Sequence, residues 1–150
     1  ILHNAGILGE RVELAHYPEE VWDDVMAVNL RAPFVLTQEL LPLLEKSENA
    51  SVVFASSGVG REARAQWGAY SVSKIAIEAV SKIFAKENTY PNIRYNCINP
   101  GGTRTAMRAK AYPDEDPKVL PSPEAIMPAY LYLMGDDSLA LNGESIDAQD

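Results

Sequence analysis

The stretch Ser51-Val52-Val53-Phe54-Ala55-Ser56-Ser57-Gly58 decides how the rest of the chain is read. Its first five residues form a short apolar run of the kind found in a strand covered on both faces. Ser56-Ser57-Gly58 then supply small polar residues where the chain turns at the strand's carboxyl end. In open α/β sheets that end is where ligands bind. Immediately downstream the period changes. Ala76, Ile77, Val80, Ile83 and Phe84 recur at helical spacing across the segment from Gly68 to Asn88, and Lys82, Lys86 and Glu87 are left for solvent. A second strand, Ile93 to Ile98, runs into Asn99-Pro100-Gly101-Gly102-Thr103-Arg104-Thr105, where proline stops the strand and paired glycines allow a ligand close to the backbone. This alternation predicts an α/β fold, a parallel sheet with helices on both faces.

The flanks extend the same pattern. Ile1-Leu2-His3-Asn4-Ala5-Gly6 reads as the last residues of a buried strand entering a polar turn. Tyr17-Pro18-Glu19-Glu20 starts a helix whose apolar residues Val21, Trp22, Val25, Met26 and Val28 continue through Phe34, Leu36, Leu40, Leu41 and Leu44. Pro33 lies inside that helix and has no N–H for the Asn29 carbonyl four residues back, which leaves this oxygen to water or to another partner. Toward the C-terminus, Thr105 to Pro121 reads as a long lid-like loop. Ser122-Pro123-Glu124 caps a helix to about Met134, which Pro128 bends, and Asn142-Gly143 leads to a final strand from Glu144 to Ala148.

Composition narrows the class. The 150 residues are 47% hydrophobic and carry a formal net charge of −8, with basic residues scattered, which argues for one globular unit without a nucleic-acid footprint. The longest apolar stretches are broken by Thr37, Gln38, Glu39 and Pro128, so none is expected to span a bilayer, and no signal peptide is evident. Cys97, the sole cysteine, excludes an internal disulfide and is expected as a buried, inert thiol in a cytoplasmic protein. Two isolated histidines make no metal site, and His16 is expected in an exposed loop. Trp67 fits either a pocket wall or packing on the sheet. Arg104 and Arg108 fit either an anion receptor or solvated charges opposed by Asp114, Glu115 and Asp116.

Within the helical segment, Tyr70-Ser71-Val72-Ser73-Lys74 stacks a phenol and an ammonium on one face. A fixed positive charge beside a phenol lowers its pKa from about 10, so the pair is a candidate proton-transfer device; the same string also describes an ordinary surface pair. Its neighbours give it context: Ser57 stands thirteen residues before Tyr70 and Asn29 forty-one before it.

With Asn4-Ala5-Gly6 after a strand, Asn29, Ser57, Tyr70-x-x-x-Lys74, and Asn99-Pro100-Gly101 followed by Thr105, the chain resembles the short-chain dehydrogenase/reductase family in its single-domain branch, from Leu2 to about Asp147. The resemblance implies a Rossmann-like doubly wound parallel sheet and an enzyme interconverting an alcohol and a carbonyl with NADP or NAD, NADP being slightly favoured. It implies Tyr70 as general acid/base, Lys74 as the cation that lowers its pKa and holds the nicotinamide ribose, Ser57 as the stabiliser of charge on the substrate oxygen, and Asn29 as the holder, through its main-chain carbonyl, of a relay water. Asn4, Ala5 and Gly6 would pass under the adenosine ribose, and Pro100, Gly101, Thr103 and Thr105 would line the nicotinamide and pyrophosphate. His3 stands where the family often has another Asn. The helices from about Phe34 to Lys46 and Gly68 to Asn88 would build a homodimer or homotetramer. The family's Gly-rich phosphate loop is not found in the 150 residues, so they are expected to be the C-terminal portion of one such domain, without its first three βα units, roughly 90 residues at about 30 per unit. A family member that senses cofactor or serves as a scaffold without turnover is the other reading.

Overall fold

Residues Ala50–Ala55, buried throughout, form the inner strand β2 of a four-stranded parallel sheet in the computed structural model, which describes residues 1–149. Leu2–His3 (β1) pairs with one edge of β2 and Ile93–Asn99 (β3) with the other, in the register Val53↔Asn96 and Ala55↔Ile98. Ser145–Asp147 (β4) follows β3. The sheet and its helices bear out the α/β, Rossmann-like reading.

Side chains alternate across a strand, so β2 sends Val52 and Phe54 to one face and Val53 to the other. On the first face they pack with Ile93, Tyr95 and Cys97 against two helices, α2 (Ala32–Leu44) and α3 (Gly68–Glu87), through Leu44 and Ile77. On the second, Val53 and Ile98 meet Ile126, Tyr130 and Leu133 of a further helix, Pro123–Met134. Both faces are covered, which is why the strands read as nearly unbroken apolar runs. Buried polar residues on the second face find backbone partners: Ser51 Oγ donates to the Leu133 carbonyl at 2.6 Å, and the Arg94 guanidinium donates to the carbonyls of Ser138 and Gly135 at 2.8 and 3.0 Å, its Nε having no partner among the described residues. Cys97 is buried, and burial pushes its thiol up to about 11.

The first face is organised by an aromatic column. His3 stacks on Phe54 with centroids 5.0 Å apart, Phe84 lies parallel to Phe54 at 6.5 Å, and Tyr95 stacks on Phe84 at 5.2 Å. Thr37 donates its hydroxyl proton to the Pro33 carbonyl at 2.7 Å, so its oxygen accepts from His3 Nε2 at 2.9 Å. His3 therefore carries its proton on Nε2, and burial drives its pKa to about 4, leaving it neutral. It is a core residue that bridges β1 to α2.

The structure refines two expectations. The helix read continuously from residue 19 to residue 44 is instead α1 (Glu19–Met26), a wide π-helical turn over Ala27–Arg31, and α2. The helical path is unbroken, since Arg31 and Ala32 keep αR dihedrals, and Pro33 follows the π turn with no N–H for the carbonyls before it. The loop expected from Thr105 to Pro121 contains a short helix, α4 (Ala106–Ala111), and a 3-10 turn at Pro117–Val119. Thr105 starts α4 by accepting from the Arg108 N–H at 3.2 Å, and Ser122 caps α5 (Pro123–Met134) in the same way through the Ala125 N–H at 3.4 Å. Among the described residues no helix is long and apolar enough to cross a membrane.

The column predicts a steep stability cost. In the protein that carries this chain, Phe54→Ala should lose about 3–5 kcal/mol in urea or guanidinium titration. Glu48→Ala, at an exposed position in the bend before β2, should change stability by less than about 0.5 kcal/mol.

Candidate active site

Because the strands run parallel, their carboxyl ends gather on one side, and there the structure forms a cleft of about 360 Å³. Asn4 and Gly6 reach it from the segment after β1, Ser57 from the end of β2, Tyr70 and Lys74 from the first turns of α3, and Pro100, Gly101, Thr103 and Thr105 from the segment after β3. Two of the expected catalytic and cofactor-binding residues do not line it. Ala5 is exposed beside it, and Asn29 is buried behind it.

Lys74 is buried, and its Nζ donates to the carbonyl of Ala55, the last residue of β2, at 2.7 Å. The ammonium lies 5.6 Å from the centroid of the Tyr70 ring. A Cβ added to Gly6 would stand 3.6 Å from the same nitrogen, so the Gly6 backbone passes close to the charge. Burial lowers the Lys74 pKa to about 8. Tyr70 departs from the sequence-based expectation. Burial raises its pKa, opposed by the hydrogen-bonding hydroxyl of Ser57. Desolvation of the phenolate is the larger effect, and the neighbouring ammonium is directed to Ala55.

Asn29 acts through its side chain as well as its place before Pro33. Its Oδ1 accepts from the Ile7 N–H at 2.8 Å, and its Nδ2 donates to the Ile7 carbonyl at 2.9 Å and to Ser73 Oγ at 3.1 Å. Ser73 in turn donates to the Tyr70 carbonyl at 2.8 Å. The amide therefore clamps the segment around Gly6 onto the turn of α3 that carries Tyr70. The sequence pointed to the Asn29 carbonyl and was silent on this amide, whose partners lie 22 and 44 residues away.

A second polar cluster supports the end of β2. Glu78 Oε1 accepts from Ser56 Oγ at 2.7 Å and from Ser145 Oγ at 2.9 Å. Arg61 lies 3.5 Å from the same oxygen and donates to both carboxylate oxygens of Asp147 at 2.8 Å, while Asn99 donates to Asp147 Oδ1 at 2.7 Å. Glu78 was overlooked in the sequence although a signal was present: a carboxylate one helical turn past Lys74, on the stripe that Tyr70 and Lys74 share. Gly60 closes the arrangement. A Cβ there would stand 2.8 Å from both the Lys74 carbonyl oxygen and Ser56 Oγ, so the loop after Ser57 reaches α3 only as glycine.

Beyond Tyr70 the wall is apolar and aromatic. Trp67 is buried against Leu8, Val59 and Tyr70, which makes it a pocket wall, and Tyr112 lies 5.8 Å from its centroid. Arg11 stacks on Trp67 at 4.2 Å while donating to the carbonyls of Gln66 and Ala111 at 3.0 and 2.9 Å. Arg108 stacks on Tyr112 at 3.8 Å and makes a two-pronged bond to Glu115, both contacts 2.6 Å. Tyr130 of α5 closes the cleft from the second face of the sheet. Arg104 is exposed and outside the lining, and His16 is exposed beside Glu13.

Comparison with known proteins gives a consistent picture. The family model described as short chain dehydrogenase matches residues 1–116. An Escherichia coli K12 protein described as the uncharacterized oxidoreductase YciK is 56% identical over 149 residues, covering 99% of this chain and 59% of its own length. The 3-oxoacyl-[acyl-carrier-protein] reductase FabG of Thermotoga maritima is 33% identical over 155 residues, 97% of this chain and 62% of its own. A solved short chain dehydrogenase from E. coli CFT073, complexed with NADPH, superposes with a TM-score of 0.96 at 56% identity over 99% of this chain and 62% of its own. One from Shigella flexneri 2a, complexed with NADP, gives 0.96 at 55% identity over the same shares. The chain thus spans about three fifths of the length of the relatives it matches.

Two measurements probe this geometry. The unfolded chain keeps Lys74 protonated to about pH 10.5 and the fold only to about 8, so between those values the unfolded state binds more protons and stability rises with pH. Between about pH 7.5 and 9.5, without cofactor, the wild type should gain about 2 kcal/mol relative to Lys74→Met in chemical denaturation. Gly60→Ala should lose about 1–3 kcal/mol, because the methyl meets backbone that cannot withdraw.

Proposed function

This chain belongs to the short-chain dehydrogenase family, and from that membership we propose that the protein carrying it is an NADP(H)-dependent oxidoreductase interconverting an alcohol and a carbonyl compound. The observation that carries the reading is the meeting of Ser57, Tyr70 and Lys74 at one cleft, at the carboxyl end of the sheet. NADP is preferred over NAD because solved relatives at 55–56% identity hold NADP or NADPH.

The residues present suit a dinucleotide. Gly6 and Gly101 leave bare backbone beside the cleft, Gly101 at a φ of +69° that favours glycine, and the Lys74 ammonium lies next to Gly6. Asn4, Ala5 and Gly6 would hold the adenosine ribose, Lys74 and Tyr70 the nicotinamide ribose, and Pro100, Gly101, Thr103 and Thr105 the nicotinamide and pyrophosphate. When bound, the cofactor supplies or accepts the hydride. Tyr70 donates its proton to the substrate oxygen in reduction and takes it back in oxidation. Its raised pKa keeps the phenol protonated, which suits the donor role. Ser57 donates to the oxygen on which negative charge develops. Lys74 favours the phenolate as the proton leaves, and the Asn29 carbonyl holds a water that connects Lys74 to solvent.

The same proposal has wider parts. We take the 150 residues as one portion of a single short-chain dehydrogenase domain, supported by 99% coverage of this chain against 62% of the solved relative. A homodimer or homotetramer is supported by exposed apolar side chains on α2 (Leu36, Leu43) and α3 (Val72, Ile75, Ile83). A cytoplasmic location is supported by the buried, unpaired Cys97.

In the full-length protein, Tyr70→Phe should lower kcat by about 100-fold or more with the NADPH dissociation constant nearly unchanged, and Ser57→Ala should lower kcat by about 100- to 1,000-fold. Retained activity in Tyr70→Phe refutes the role. Tight NADPH binding without turnover on a broad carbonyl panel would instead favour a cofactor-sensing or scaffold protein. Light scattering of the same protein should report a dimer or tetramer; a monomer removes that part of the proposal.

A further inference from the structure

Among the described residues that line the cleft, only Lys74 and Arg108 carry a charge. Lys74 is turned to the Ala55 carbonyl and the Gly6 backbone. Arg108 is held by both oxygens of Glu115 and pressed against the Tyr112 ring, so its charge is already neutralised. The nearby Arg11 is equally occupied, donating to two carbonyls while stacked on Trp67. What remains beyond Tyr70 is Leu8, Trp67, Met107, Ala111 and Tyr112, an apolar and aromatic surface.

We propose that the substrate is an uncharged carbonyl compound or alcohol with an apolar, planar body that lies against Trp67 and Tyr112 while its oxygen meets Ser57 and Tyr70. This rests on the oxidoreductase reading above and adds the substrate class to it. A carboxylate or phosphate entering the same space loses its hydration and, among the described residues, finds no free cation on that wall, because Glu115 holds the Arg108 guanidinium and two carbonyls hold that of Arg11. Glu115 is thus a specificity-determining residue that never touches the substrate; it excludes anions by keeping Arg108 engaged.

The test uses the full-length protein loaded with NADP⁺ and a matched pair of ligands, 2-acetylnaphthalene and 6-acetyl-2-naphthoate, which differ by one carboxylate. Calorimetric titration should show the neutral ketone binding at least about 10-fold more tightly. Equal binding, tighter binding of the carboxylate, or no binding of either overturns the proposal. Glu115→Gln frees Arg108 and should raise the affinity for the carboxylate about 10-fold while leaving the neutral ketone nearly unchanged; no gain overturns the role of Glu115. The carboxylate gain should vanish again in Glu115→Gln combined with Arg108→Met. NADPH oxidation is followed separately. Selective binding of the neutral ketone without turnover would refute the redox reading and leave the substrate class standing. Turnover with a preference for the carboxylate would do the reverse.

Discussion

A buried ammonium with no carboxylate partner among the described residues sits where the helix and the sheet of this molecule meet. Lys74 spends its charge on one backbone carbonyl, that of Ala55 at the end of β2, and the cost of that burial appears in a pKa lowered to about 8. Glu78 is one helical turn away and would be the obvious counterion. It is turned instead to Ser56, Ser145 and Arg61. The arrangement keeps a positive charge without a counterion at the edge of a cleft, which is destabilising for the fold and useful to a ligand or a phenolate.

The rest of the structure holds that charge and its neighbours in place. Gly60 lets the loop after Ser57 lie directly on the Lys74 carbonyl. The Glu78 cluster fixes Ser56 next to Ser57, and through Arg61 and Asp147 it ties the end of β2 to β4. From the other side the Asn29 amide binds both groups of the Ile7 backbone and, through Ser73, the Tyr70 turn. Apart from Gly60, each support is a side chain whose polar atoms find partners within the protein, as buried polar groups require. Two loops and one helix are thereby fixed around a space that stays open.

Charge placement divides that space. On the side of Gly6 and Gly101 the cleft presents backbone and one cation, whereas beyond Tyr70 it presents aromatic faces. The two arginines on that far side are absorbed by aromatic rings, by carbonyls and by Glu115. An arginine stacked and paired in this way contributes as packing surface, with its charge already spent.

Much of this was legible in the chain itself. The strand at residues 51–55 and the helix from Gly68 follow from local periodicity, and periodicity is a property of neighbours in sequence, so the elements, their order and the carboxyl-end position of Ser57 and Tyr70 could be read directly. The i,i+4 stacking of Tyr70 and Lys74 is equally local. Burial and distant pairing are not. The upward shift of Tyr70 depends on everything packed over it, and reversed an expectation drawn from the pair alone. The Asn29 amide finds Ile7 across 22 residues, and Arg11 finds Gln66 and Ala111 across 55 and 100. Arg108 looked free in the sequence because nothing in its spacing said which nearby acid would turn toward it. The sequence determined which groups stand at the sheet's carboxyl end; the tertiary structure alone decided their protonation and which charges are already used, because desolvation and ion pairing sum contacts that chain order does not encode.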